Sequence, residues 1–382
     1  MKILIVSELF YPKLRGGEVV LWRVAQGLAA RGHSVRVLTA RLEETEPRES
    51  VNGVEIIRPC EIGAEGKSQT MGAIGEKLSF MRRIYPHIRR EIKDLRPEVI
   101  YDNAYTATLP AGLAGKRSGL PVVTNIGNLQ GLGHFDGGVN PLVGSIQGLK
   151  EYLFIRFGGH RAIRVASEAV GERVRKITGA RVFTIPTPID DSLARETLAS
   201  ADEEKIRAEL GVEEGELFLL YVGALERVKN LDSLIEVLGR LSRPFRFAVV
   251  GEGRERPLLE RVARNVGIGE KLKFLGRLNH ERVLELMKGA DAFLLSSKSE
   301  TGPLVVLEAL SVNTPVISTD VGMVGEIESD NLTVVEDVEE IREALEVGPK
   351  RHKDQSIIER YSVDKITAEF ERMFEIVIDD YG

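Results

Sequence analysis

The apolar run Ala292-Phe293-Leu294-Leu295 is short enough for a strand buried on both faces, and such strands belong to parallel sheets covered by helices. Ser296-Ser297 ends it. The chain continues Ser299-Glu300-Thr301-Gly302-Pro303-Leu304-Val305-Val306-Leu307-Glu308-Ala309-Leu310, a turn and a helix start, then returns to an extended segment at Thr314-Pro315-Val316-Ile317. Pro303 suits a first helical turn, where its missing N–H costs no intrahelical bond. Glu300 is therefore expected in the loop ahead of the helix and Glu308 about one turn inside it, both able to face one cleft. Free N–H groups at a helix start suit an anion or sugar hydroxyls, and a carboxylate accepts both hydroxyl protons of a diol. Two glutamates at this spacing, taken alone, are more often solvated charges, so the other motifs carry the decision.

The same strand, loop and helix pattern opens the chain. Lys2-Ile3-Leu4-Ile5-Val6-Ser7 reads as a strand, Gly16-Gly17 as a turn, and Val20, Leu21, Val24, Ala25 and Leu28 as one helix face before the strand Ser34–Thr39. Lacking Cβ atoms, Gly16 and Gly17 let the backbone approach a phosphate closely, although a plain turn explains them equally well. Near the middle, Leu217-Phe218-Leu219-Leu220-Tyr221-Val222-Gly223 is a buried strand followed by a loop carrying Arg227 and Lys229. A loop lysine beside a helix start is a natural partner for a leaving diphosphate. Gly251-x-Gly253 lacks the third glycine and the N-terminal placement of a dinucleotide site, so it is a weak signal for one.

A chain of 382 residues suits two domains, and no apolar run approaches the roughly 18–20 residues of a membrane span. The N-terminal strand is too short for a signal peptide's apolar region, which leads us to expect a cytoplasmic protein. The single Cys60 excludes an internal disulfide and a cysteine-based metal site. Residues 1–190 hold 27 Lys+Arg against 19 Asp+Glu, while the remainder holds 25 against 39. The basic half is expected to meet something anionic, such as a phospholipid-linked acceptor or a membrane surface; ordinary surface charge is the alternative. After the strand candidate Val54–Pro59, the Gly-rich, poorly periodic stretch through Gly75 reads as mobile. The cations around Ile84, Tyr85 and Ile88 read as a solvated helix face or as a membrane contact.

The two glutamates, the Pro-Val-Ile strand after them, Gly322, the Gly223–Lys229 loop and the phrase from Tyr11 to Thr39 together resemble the family 4 retaining glycosyltransferases. The resemblance covers nearly the whole chain. It implies the GT-B fold: α/β, two Rossmann-like domains facing each other across a cleft, with the C-terminal helix packing back on the first domain. We expect domains at 1–190 (acceptor-binding) and 191–360 (donor-binding), with 361–382 as the returning helix. Catalytic roles fall to Glu300, on the transferred sugar, and to Lys229. Donor binding is expected from Gly16, Gly17, Gly223, Arg227, Lys229, Leu275, Arg277, Leu278, Glu300, Thr301, Gly302, Leu304, Val305 and Glu308, the last on the ribose hydroxyls.

Two positions depart from the family pattern. Ile126 stands where a histidine is usual, which leaves Asn103, Asn125, Asn128 and His134 as acceptor-side candidates. Ala224 stands where an arginine usually follows the glycine, and Arg227 is its possible substitute. The resemblance implies a nucleotide-diphosphate sugar as donor, a glycan, lipid or small-molecule acceptor, and retention of configuration. No Asp-x-Asp pair is present to hold a metal, so no metal or other cofactor is expected, and no nucleic acid partner. A sugar-nucleotide epimerase and a non-catalytic sugar-nucleotide binder share the architecture, and a nicotinamide dehydrogenase is the poorest alternative.

Overall fold

The computed structural model describes residues 1–12, 16–42, 45–61, 71–103, 105–127, 129, 141–300 and 302–381; of residues 71–74, 76 and 141–147 it describes the backbone alone. The chain forms two compact units. One is drawn from the described residues of Met1–Gly133, Leu142–Pro188 and Val363–Gly382, the other from those of His134–Pro141 and Ile189–Ser362.

The first unit is built on eight strands: β1 Lys2–Val6, β2 Ser34–Arg41, β3 Arg48–Val51, β4 Val54–Glu61, β5 Val99–Asn103, β6 Val122–Ile126, β7 Ala162–Val165 and β8 Arg181–Thr184. Their order is β3-β4-β2-β1-β5-β6-β7-β8, parallel except for β3. Ile5 lies beside Val37 on one flank and Tyr101 on the other, and Ile3 to Val6 are wholly buried. Strands buried on both faces need helices on both sides. The helix Gly16–Ala30 supplies one cover, with Val20, Leu21, Val24, Ala25 and Leu28 inward.

The C-terminal helix Val363–Asp379 returns to this unit and buries Ile366, Phe370, Met373, Phe374 and Val377. Phe370 and Phe374 meet Tyr101 edge-on at 5.8 and 5.5 Å. Gly27 admits the helix closely, because a Cβ there would lie 2.2 Å from Thr367 Oγ1. Arg31 and His33 pair with Glu371 at 2.8 and 2.7 Å.

The second unit has six parallel strands: β9 Leu217–Val222, β10 Phe245–Val250, β11 Leu272–Gly276, β12 Ala292–Leu295, β13 Val316–Thr319 and β14 Leu332–Val335. Their order is β11-β10-β9-β12-β13-β14, and Leu220 sits between Ala248 and Phe293. In both sheets the order of connection reverses beside the first strand, between β1 and β5 and between β9 and β12. At such a switch point the loops after the strands diverge and leave a crevice for a ligand.

Two local features differ from expectation. β3 and β4 form an antiparallel hairpin turned at Asn52 and Gly53, both with positive φ, the local signature that an Asn-Gly pair provides. A helix runs over Met71–Leu95, where the sequence reads as mobile up to Gly75; Pro86 is tolerated within it. Ile84 and Ile88 on that helix are wholly buried in the core of the unit, so its cations form a solvated face and those two side chains are not available to a membrane. Among the described residues no helix is long and apolar enough to cross a membrane.

Asp102, at the end of β5, is fully buried and accepts from Thr108 Oγ1 at 2.8 Å and Thr124 Oγ1 at 2.7 Å. Burial pushes its carboxyl up to about 7, against the pull of the two hydroxyls. The folded chain therefore keeps this proton up to about pH 7, whereas the unfolded chain releases it near 3.8. Stability from this group is greatest below about pH 4 and is lost as pH rises through 7. Asp102→Asn, neutral throughout, should gain stability over wild type between pH 4 and 8, by at most about 4 kcal/mol in denaturant melts. Parallel pH curves for the two proteins would contradict this.

Candidate active site

In the second unit the candidate residues Lys229, Glu300 and Glu308 gather at the switch between β9 and β12. β9 ends at Val222, and the chain turns through Gly223 to Glu226 into a single 3-10 turn, Arg227–Lys229, before the helix Leu231–Leu238. Tyr221 Oη donates to Ala224 O at 3.1 Å and Leu225 is wholly buried, which pins the turn from beneath. Asn230 takes a left-handed conformation, φ 54°, to join the 3-10 turn to the helix.

The loop after β12 is fastened to this turn. Lys298 N donates to Val228 O and Ser296 Oγ to Lys229 O, both at 2.9 Å. Lys229 Nζ and Glu300 Oε1 consequently form an ion pair, and Ser297 Oγ donates to the same carboxylate oxygen at 3.0 Å. Both side chains keep about a fifth of their surface exposed, so the pair is reachable but only partly solvated.

Pro303 caps the helix Leu304–Ser311 from just outside rather than occupying its first turn. Gly302, Leu304 and Val305 are half-buried around that helix start. Glu308 is the fifth helical residue and is 5% exposed. His280 Nε2 reaches Glu308 Oε1 at 2.8 Å from the first position of the helix His280–Gly289, which Asn279 caps by accepting from Arg282 N. The sequence reading missed His280, whose partner lies 28 positions away with no periodic relation to it.

The Gly251-x-Gly253 turn is a packing device. Gly251 has φ +130°, and a Cβ on it would lie 1.9 Å from Gly223 O; a Cβ on Gly253 would lie 2.1 Å from Leu225 O. Leu225 N donates to Glu252 O at 2.9 Å, and Glu255 N to Leu225 O at 3.1 Å. These glycines hold the lysine loop by its backbone. β11 ends beside them, with Gly251 N donating to Gly276 O at 2.8 Å. Leu275 and Leu278 are half-buried there, and Arg277 is exposed, 3.7 Å from Glu252. Arg227 and Ala224 are both exposed.

In the first unit, Gly16 and Gly17 open their helix exposed, with open space where Cβ atoms would be. Asn125 and Asn103 belong to a chain of hydrogen bonds across the ends of four neighbouring strands. The buried Arg164 donates to Asn125 Oδ1 at 3.0 Å, Asn125 Nδ2 to Asn103 Oδ1 at 2.8 Å, Asn103 Nδ2 to Ser7 Oγ at 3.3 Å, and Ser7 Oγ to Leu9 O at 2.7 Å. The chain runs in one direction, and Arg164 sets the orientation of both amides. Ile126 beside them is buried and apolar. Asn128, His134 and Thr301 lie outside the described residues. Among the described residues no cluster of three or more His, Cys, Asp or Glu side chains could hold a metal ion.

Comparison with known proteins matches residues 14–193 to the family model Glycosyltransferase Family 4 and residues 202–355 to Glycosyl transferases group 1. The chain belongs to the group 1, family 4 glycosyltransferases. This glycosyltransferase is 26% identical over 343 residues to glycogen synthase of Mycobacterium tuberculosis, covering 85% of this chain and 80% of that one. It is 23% identical to an uncharacterized glycosyltransferase of Methanocaldococcus jannaschii over the full length of both. Among solved structures, sucrose-phosphate synthase from Thermosynechococcus elongatus superposes with a TM-score of 0.78 at 15% identity, covering 99% of each chain. Anabaena HepE in complex with UDP-glucose gives 0.69 at 18%, covering 98% and 99%. These likenesses establish the GT-B fold.

The close approach at Gly253 makes a direct prediction. Gly253→Ala drives a Cβ against the Leu225 carbonyl, a backbone atom that cannot swing aside, and should cost the glycosyltransferase about 1–3 kcal/mol in chemical denaturation. Wild-type stability in that variant would show that this loop is free to move.

Proposed function

We propose that this enzyme moves a sugar from a nucleotide-diphosphate donor to an acceptor hydroxyl on a glycan, a lipid-linked or a small molecule, with retention of configuration and without a metal ion. The observation that carries this reading is the Lys229–Glu300 pair at the switch point, one helix start away from the buried Glu308. A cation at that place can meet the diphosphate, a carboxylate beside it can orient the transferred sugar, and Glu308, held by His280 on one oxygen, can offer its acceptor capacity to ribose hydroxyls. That HepE has been seen with UDP and UDP-glucose supports a sugar nucleotide as ligand for the shared fold.

In the proposed step the acceptor oxygen bonds to the anomeric carbon on the face from which the diphosphate departs. The carbon–oxygen bond to phosphate breaks, and a phosphate oxygen takes the acceptor proton. No enzyme nucleophile is needed. Lys229 and the N–H groups of the helix start at Leu304 stabilise the charge that grows on the leaving group, which is the role a metal would otherwise fill.

A thermal-shift panel of UDP-, GDP-, ADP- and CMP-sugars should single out one donor class, since a ligand at about 100 times its dissociation constant adds roughly 2.7 kcal/mol of stability. With that donor and a matching acceptor, Lys229→Ala should lower kcat roughly 100- to 1,000-fold. A flat panel, or normal turnover in the variant, would refute this placement of the site.

A further inference from the structure

His280 and Glu308 meet from two helices whose backbones are fixed independently of that contact. In the helix Leu304–Ser311, Glu308 O accepts from Ser311 Oγ at 2.7 Å, and the neighbouring Leu307 and Leu310 are wholly buried. The helix His280–Gly289 buries Val283, Leu284, Leu286 and Met287. Thr314 Oγ1, in the segment after the glutamate's helix, donates to Met287 O at 2.6 Å and ties the two together. At the other end Asn279 Oδ1 accepts from Arg282 N at 2.9 Å, which sets the point from which the His280 side chain leaves. With both backbones held, the freedom left at the contact lies in the torsions of the two side chains.

The hydrogen bond between them removes that freedom in one direction. Glu308, as a carboxylate, can only accept, so His280 Nε2 carries the hydrogen and donates to Oε1 at 2.8 Å. The imidazole side chain is 35% exposed and the carboxylate side chain 6%, so the histidine forms the solvent edge of the contact and the glutamate its interior. Arg282, the cation nearest in sequence, is engaged elsewhere, with Glu285 at 2.7 Å and with Glu209. A carboxylate has about four lone-pair directions, and the ring N–H occupies one of those on Oε1. A diol that uses this carboxylate meets it already turned, and less side-chain freedom is lost when the diol binds. Because β11 ends at Gly276, just ahead of Asn279 and His280, the orientation of Glu308 is referred to that strand edge as well as to its own helix.

We propose that His280 is the positioning residue for ribose recognition: it holds the Glu308 carboxylate in the orientation that accepts from the ribose hydroxyls, and so sets the preference of the enzyme for a ribonucleotide over a 2′-deoxyribonucleotide. The inference rests on the reading of Glu308 given above and adds to it the residue that makes this carboxylate selective. A merely structural tie between two helices has a different signature, since its loss loosens the site and weakens every nucleotide alike. Positioning confines the loss to the hydroxyl. A carboxylate turned out of place forfeits its bond to the 2′-hydroxyl and forfeits nothing that a deoxyribose offers there.

The test is calorimetric titration of the full chain with UDP, GDP and ADP, each beside its 2′-deoxy counterpart. Wild type should prefer the ribonucleotide of the pair it binds by roughly 10- to 100-fold, the worth of a hydrogen bond to a charged group. In His280→Ala that preference should fall to within about threefold, with the ribonucleotide weakened and the deoxyribonucleotide nearly unchanged. His280→Gln, whose side-chain amide can donate from about the same place, should restore most of the preference, and it carries the test if the alanine variant does not fold. Glu308→Ala should abolish the preference and separates the two claims. If Glu308→Ala keeps it, the reading of Glu308 fails and the inference falls with it; if Glu308→Ala loses it while His280→Ala keeps it, the inference alone is overturned. Equal weakening of both nucleotides in His280→Ala, no recovery in His280→Gln, or no binding of any pair would also overturn it.

Discussion

The arrangement of the second unit depends on a backbone seam with no room for side chains. Gly251 and Gly253 press against the carbonyls of Gly223 and Leu225, and the intervening N–H groups close the gap with hydrogen bonds. A loop held by its own backbone has few alternative conformations, so the 3-10 turn at its end is fixed relative to the sheet. The next loop is then tied to that turn through Val228 O and Lys229 O. Glycines that on sequence hint at a nucleotide turn thus act one step removed, by fixing the loop that carries Lys229.

Electrostatics follow from that placement. Lys229 lies against Glu300, and Ser297 takes up part of the same carboxylate, so the ammonium is held in one direction while its net charge is locally balanced. In the proposed reaction a diphosphate at this place would compete with Glu300 for the lysine. With Ala224 exposed and uncharged and Arg227 pointing into solvent, the 3-10 turn offers Lys229 as its partly buried cation. A partly buried pair is screened less by salt than a surface one, which makes the exchange of partners energetically meaningful.

Much of the fold was legible because short apolar runs bounded by Gly, Pro and Ser leave little freedom. The strands ending at Val222 and Leu295, the helix face Val20 to Leu28 and the stripe Ile366 to Val377 are each encoded within about fifteen residues. The helix Met71–Leu95 was obscured by glycines at its start and Pro86 inside it, although its buried residues Phe80, Ile84 and Ile88 keep helical spacing. The Asn52-Gly53 hairpin was legible but passed over. In the site, Glu300, Glu308 and Lys229 were readable from motif and spacing. His280 and Arg164 were not, since each acts on a partner 28 or 39 residues away across separate elements.

The most direct measurement is calorimetric titration of the donor's nucleoside diphosphate into wild type and Glu300→Gln. If Lys229 exchanges Glu300 for the diphosphate, removing the carboxylate charge should tighten binding by roughly 2- to 10-fold, the worth of a partly exposed ion pair, while sugar transfer slows. Weaker or unchanged binding in Glu300→Gln would contradict that exchange and move the diphosphate away from Lys229.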